Sequence, residues 1–259
     1  MSIETWIKIW RAGFVVAFLG ATQFLVCCVF AMILYPGGTV AEPTSDGYDL
    51  SENHLSELGR EVSLSAEDNS TGSSIFNTSL ILLGLTSLAF FGFMPTHAYD
   101  KVKGLSFAAV IGAGASVSLI VMGMNPCDLS PLAHYLALFF WIVTIFFSSS
   151  IHALCMLTSK EDIAMWMSLI SVAVAMFSVA YIYHGTETAA AVMLKREIPM
   201  KSALLQKLLF IATLIWMFSV SAKLLLTADF SEFYSRDVSK ETDEYLKELE
   251  DQPWTPTRK

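Results

Sequence analysis

Long apolar runs follow one another along the chain, at 12–35, 75–94, 104–124, 133–157, 164–183 and 208–227. A helix of roughly 20 such residues spans the hydrocarbon layer of a bilayer. The pattern therefore predicts an all-α polytopic membrane protein, a six-transmembrane-helix bundle. The first run is too long for a cleaved leader, and no small-residue cleavage site follows it closely. No internal repeat is visible. The expected organisation is an N-terminal segment 1–11, a membrane domain 12–227 with a first loop at 36–74, and a tail 228–259.

The first loop has its own pattern. In "YDLSENHLSELGREVS", residues 48–63, Ser51 is placed as an N-cap and Glu52 adds negative charge to the first turn. Leu50 and Leu55 are spaced as a hydrophobic staple, and Gly59 is a natural stop. A short amphipathic helix over 52–58 is expected, with Leu55, Leu58 and Val62 on its apolar side. His54 and Glu57 would share the neighbouring face. They either solvate that helix or point into a polar cavity between the spans.

Further on, "MGMNPCDLSPLAHYLALFFW" breaks the apolar pattern. Asn125-Pro126 ends the third span, because proline cannot continue a helix and restrains the residue before it. Asp128 falls in the connector, and Ser130 or Pro131 opens the fourth span with His134 in its first turn. At 100° per residue, His134, Trp141, Ser148, His152 and Cys155 share one face, which should look inward. Ser148, Ser149 and Ser150 are placed to bond backbone carbonyls. In the third span Gly112 and Ser116, and Gly114 and Ser118, are spaced for close helix packing.

Composition sharpens the membrane reading. Hydrophobic residues make up 54% of the chain and charged residues 15%, against roughly 25% charged in soluble domains. The net charge is −8, with eight acids and one base in 36–74 and nine acids and five bases in 228–259. Neither segment offers the basic surface that nucleic acid requires. The tail's "VSKETDEYLKELE" can form a solvated charged helix with Lys240–Glu244 and Asp243–Lys247 pairs. Lys8, Arg11, Lys101, Lys103, Lys160, Lys223, Arg236 and Lys240 place both termini in the cytoplasm and the 36–74 loop outside. Lys195, Arg196, Lys201 and Lys207 in the fifth loop oppose that orientation.

Cysteine gives no disulfide framework, since Cys27, Cys28 and Cys155 fall inside spans and only Cys127 in an outer loop. Asn69-Ser70-Thr71 reads as a glycosylation sequon on the outer side.

One end of the bundle is thus expected to gather His54, Glu57, Asn77, Asp128, His134 and His184. Tyr183 and Glu187 lie beside His184, and Ser79 follows Asn77. Ionisable groups at this depth usually face the protein interior. They either form a site or simply bond one another and cap helix ends. Asp128, kept ionised, is expected to accept a hydrogen bond from His134 or His54.

The residues "NHLSELG", Phe76-Asn77 and "NPCDLSPLAH" resemble a family of bacterial and archaeal six-helix membrane proteins, domain-of-unknown-function family 998. The similarity runs over roughly 10–227. The family pattern of an Asn or His followed by Leu-Ser-x-Leu-Gly matches His54, Leu55, Ser56, Leu58 and Gly59. Its Pro-x-Asp with a later His matches Pro126, Asp128 and His134, and the final helix with Trp216 is also similar. Members often carry a Glu-Arg pair where this chain has Gln206-Lys207. The resemblance implies a six-helix fold in a prokaryotic plasma membrane and no assigned activity.

Three functions remain open at this point. One is the binding or transport of a membrane lipid or small molecule, with His54, Ser56, Asn77, Asp128, His134 and His184 lining the site. Another is a metal-dependent hydrolase or lipid-modifying enzyme. There Glu57 and Asp128 would be catalytic, Glu57 as general base, and His54, His134 and His184 would hold zinc. The third is a haem electron carrier using His134 with His184 and His97 with His152. His134 and His152 would stand about 27 Å apart along one helix.

Overall fold

In a bilayer each backbone N–H and C=O must find its partner within the chain, and a helix does this segment by segment. The computed structural model describes residues 3–97, 103–158, 164–193 and 201–227. It places six long helices: α1 (Ile3–Leu34), α2 (Ser70–Phe93), α3 (Lys103–Met124), α4 (Pro131–Leu157), α5 (Ala164–Met193) and α6 (Lys201–Thr227). All six are long and apolar enough to cross a membrane. The fold is an all-α bundle, as the apolar runs predict. A compact unit covers residues 1–224. The expected tail helix, the Lys195-Arg196 pair and the side chains of His97 and Glu187 lie outside the described residues.

Consecutive helices from α1 to α5 pack on one another. α6 lies among them, and 61% of its membrane window is buried, against 33% for α5. Aromatic rings make its contacts. Phe210 stacks on Trp141 of α4 at 4.3 Å and on Phe24 of α1 at 5.8 Å. Trp216 meets Phe90 of α2 edge-on at 5.7 Å. Lipid-side positions such as Leu132, Val110, Phe139 and Phe140 stay exposed.

The inward stripe of α4 forms as expected, with His134, Trp141, Ser148, His152 and Cys155 all buried. Ser148 donates across to the Ala108 carbonyl of α3 at 2.8 Å, while Ser149 bonds back to Phe146. The small residues of α3 serve packing. Gly112 takes the Phe91 ring, and Ser116 accepts a 2.9 Å hydrogen bond from Ser87.

Every helix but α5 starts before its apolar run, and two of these starts change the reading. α2 begins at Ser70, which puts Asn77 two turns inside it. α6 begins at Lys201, so Lys201 and Lys207 belong to the helix rather than to a fifth loop. Their charge had marked them as loop. The burial of Lys207 explains why its position is helical.

The segment between α1 and α2 is folded over one end of the bundle. Gly38 sits at φ +86°, where a side chain would strike the backbone of Leu64 and Ser65. The loop crosses itself there, with Ser65 N–H donating to Gly37 O at 3.1 Å.

Candidate functional site

The expected capped α-helix over 52–58 is not what forms. Asp49, not Ser51, organises the turn. Its Oδ1 accepts from Ser51 N–H, Ser51 Oγ and Glu52 N–H at 2.7, 2.6 and 3.1 Å. These bonds, the Ser51 hydroxyl first, hold the Asp49 carboxyl below its usual range. A 3-10 turn then covers only Leu55–Gly59. Leu50 is 63% exposed, so no staple to Leu55 exists, and Val62 is exposed while Leu55 and Leu58 are buried. Asp and Asn side chains close to backbone donors compete with helix bonds, and here they win.

Asn53, buried completely, is the centre of the cap. Its Nδ2 donates to Gly38 O at 2.8 Å and to Glu57 Oε2 at 2.6 Å. Its Oδ1 accepts from Asp49 N–H at 2.8 Å, and its carbonyl accepts from the Tyr48 hydroxyl at 3.1 Å. The same carbonyl accepts from the Lys207 ammonium, which also stands 5.3 Å from the Tyr48 ring centroid. Burial pushes the hydroxyls of Tyr35 and Tyr48 above the usual phenol range.

α6 supplies the other anchors. Gln206 Oε1 accepts from Leu55 N–H at 2.6 Å, and Ser202 Oγ lies 3.0 Å from His54 Nε2. The Gln206-Lys207 pair, where the resemblance noted a departure, is therefore what ties the last helix to the first loop.

α2 and the α3–α4 connector hold the far side of the 3-10 turn. Gly59 O accepts from Ser73 Oγ and from Asn77 Nδ2, both at 2.9 Å. A side chain at Gly59 would collide with Asn77 and press on Phe76. Asp128 Oδ2 accepts two consecutive loop N–H groups, Glu61 at 2.9 Å and Val62 at 3.0 Å. Cys127 Sγ lies 3.7 Å from Ser56 O, and burial pushes its thiol up to about 11. Asn69 is buried, and its Nδ2 already donates to Leu58 O and Arg60 O. The sequon reading is corrected accordingly, because the nitrogen that would carry a glycan is inside the protein.

The residues that carry the family resemblance, Leu55, Ser56, Leu58, Gly59, Asp128 and His134, thus meet where the loop joins the helix ends. The family model described as "Protein of unknown function (DUF998)" matches residues 19–223. The chain belongs to the DUF998 family. No curated protein and no solved structure matches it.

The candidate residues of this DUF998 protein are only partly brought together. His54 Nδ1 is 3.5 Å from Glu57 Oε1, although His54 is extended and precedes the turn. Asp128 does not accept from His134 or His54. Irregular loop backbone has N–H groups without helix partners, and the Asp128 carboxylate takes two of them. His134 Nδ1 instead lies 2.9 Å from Asn125 O. His184 sits on α5 against the ring of Tyr183. Among the described residues, no three His, Cys, Asp or Glu side chains converge as a metal would need. His152, from the haem reading, has Nδ1 2.8 Å from Ser171 Oγ and within 3.3 Å of the Trp216 Nε1 donor.

Beneath the cap lies a small cavity lined by Leu55, Ser56, Phe76, Leu80, Met122, His134, Leu138, Gln206 and Phe210. It has room for about one water molecule, and its surface is nearly all apolar. His134 is buried, and its Nε2 has no hydrogen-bond partner among the described residues. Buried polar atoms are almost always paired. Asp128 Oδ1 and Trp141 Nε1 are similarly without partners there.

Asn53, Ser202, Gln206 and Lys207 carry the site and were not among the candidates. A lone asparagine in a polar loop has no distinguishing pattern. The signal available was Gln206-Lys207 itself, a polar pair immediately before an apolar run.

Proposed function

We propose that this protein binds a membrane lipid or small amphiphile at the capped end of its bundle, and that the capped end faces away from the cytoplasm. One observation supports the reading above the others: His134, whose buried Nε2 has no partner among the described residues, lines an otherwise apolar cavity. Ligand sites are mostly apolar with a few placed polar groups. The cap has the features of a fixed roof, since Asn53, Gln206, Lys207 and Asp128 bond its backbone from three sides. His54, Glu57 and Asn77 then serve as supports rather than ligand contacts. Ser56 and His134 are the contacts. A catalytic role for Glu57 or Asp128 has less support, because both carboxylates are engaged in holding the loop.

Native mass spectrometry of the detergent-purified protein tests the binding. A bound mass beyond detergent is expected, and Leu138→Trp, which fills the cavity, should remove it. Protein that carries only detergent, in both forms, contradicts the proposal. Orientation is tested with Leu50→Cys in a cysteine-free chain. Leu50 is exposed at the tip of the cap, so an impermeant maleimide should label intact cells. Labelling only after permeabilisation reverses the orientation.

A further inference from the structure

We infer that the group entering the cavity is a neutral hydroxyl, the tip of an uncharged lipid alcohol, rather than a phosphate or carboxylate. This rests on the binding reading above and specifies the ligand's chemistry. The Asn125 carbonyl, 2.9 Å from His134 Nδ1, can only accept a hydrogen bond. Nδ1 therefore carries the hydrogen. In the neutral imidazole that leaves Nε2 with a bare lone pair, so the site asks for a donor. A carboxylate or a fully ionised phosphate brings only lone pairs and would face that nitrogen without a bond.

Size and surface agree with an alcohol. The space admits about one water-sized group. A hydroxyl fits it, and a tetrahedral phosphate does not. Water itself is a poorer occupant, because a buried water usually makes about three hydrogen bonds and the lining is nearly all apolar. An alcohol brings only its hydroxyl into that space, as the donor for Nε2, and leaves its carbons outside. No lysine or arginine lines the cavity to balance an anion. The Lys207 ammonium is spent on the Asn53 carbonyl.

The test uses the intact chain in detergent with three lipids of matched acyl chains: dioleoylglycerol, its acetyl ester and dioleoyl phosphatidate. Retention is read by native mass spectrometry. Dioleoylglycerol is expected to be held about tenfold more tightly than its ester, as the loss of one buried hydrogen bond implies. Phosphatidate should be held no better than the ester. His134→Phe should erase the preference, and His134→Gln, which keeps an acceptor near the Nε2 position, should restore part of it. Competition by hexanol separates the sources: insensitivity supports a lipid, and displacement overturns the lipid assignment. Equal retention of dioleoylglycerol and its ester, or a preference for phosphatidate, overturns the hydroxyl inference while leaving lipid binding in place. Retention of none of the three overturns both. The comparison between the free alcohol and its ester uses the unmodified protein, so it stands even if a histidine variant fails to fold.

Discussion

At the capped end of the bundle, buried polar side chains bond the backbone of a chain without regular structure. In the middle, around Trp216, they bond helix carbonyls and one another, and aromatic rings fill the space. Asn53 illustrates the first region, with every hydrogen-bonding group of its side chain used on loop or Glu57. Ser171, which donates to Met167 O, and Ser178, which donates to Val174 O, illustrate the second. The difference follows from the backbone. A helix satisfies its own N–H and C=O groups, so a serine there adds little, whereas a buried loop must borrow partners from side chains. Polar residues at the capped end are thus needed for folding before they are free for anything else. That makes the atoms left over, His134 Nε2 above all, the informative ones.

The sharpest way to break this comparison is Asn53→Leu. It removes the bonds to Gly38, Asp49 and Glu57 and should cost about 3 kcal/mol or more, read as a lower midpoint in an SDS titration. Ser178→Ala, which loses only a bond to its own helix, should cost under about 1 kcal/mol. Equal costs would dissolve the distinction between the two regions. Lys207→Met comes next, at about 2–3 kcal/mol, with faster hydrogen exchange across 49–62. Exchange unchanged in that segment would show that α6 does not anchor the cap. Asp128→Asn should cost about 1 kcal/mol, because one acceptor oxygen remains, and the faster exchange should centre on Glu61 and Val62.

Two smaller effects concern pH and the turn. Burial raises the Cys127 thiol from 9.0 to about 11. A raised acid contributes stability that is full below its unfolded value and is lost as pH climbs through the folded one. The capped end should therefore weaken as pH rises from about 9 toward 11, and iodoacetamide at pH 8 should leave native Cys127 largely unmodified. Rapid alkylation would contradict its burial. Ser51→Ala should change stability by no more than about 0.5 kcal/mol, since Ser51 is exposed and caps no helix. A larger cost would restore the capped-helix picture.

The helices were legible because the bilayer imposes apolar runs of one length, and α3, for instance, differs by a single residue at its start. The first turns of α6 were not, because Ser202, Gln206 and Lys207 look like loop until something is seen to bury them. Within the site, the inward stripe from His134 to Cys155 follows from helical spacing alone. The role of Asp128 does not, because its partners are backbone N–H groups, which every residue but proline carries and no sequence pattern marks. The N-cap at Ser51 misled for a related reason. Asp49, two residues earlier, offered the same backbone a stronger acceptor.

The bonds from α6 to the first loop join residues far apart in the chain, Leu55 to Gln206 across 151 positions and Asn53 to Lys207 across 154. During synthesis the loop is complete long before its α6 anchors exist. At about 5–20 residues per second the wait is on the order of 8–30 s. Through that interval the loop has its own bonds and those to α2 and Asp128, and its α6 side is unanchored. The α6 side of the cap is the last to close, and a chain cut before residue 202 should insert its first five helices yet leave residues 49–57 more accessible to protease.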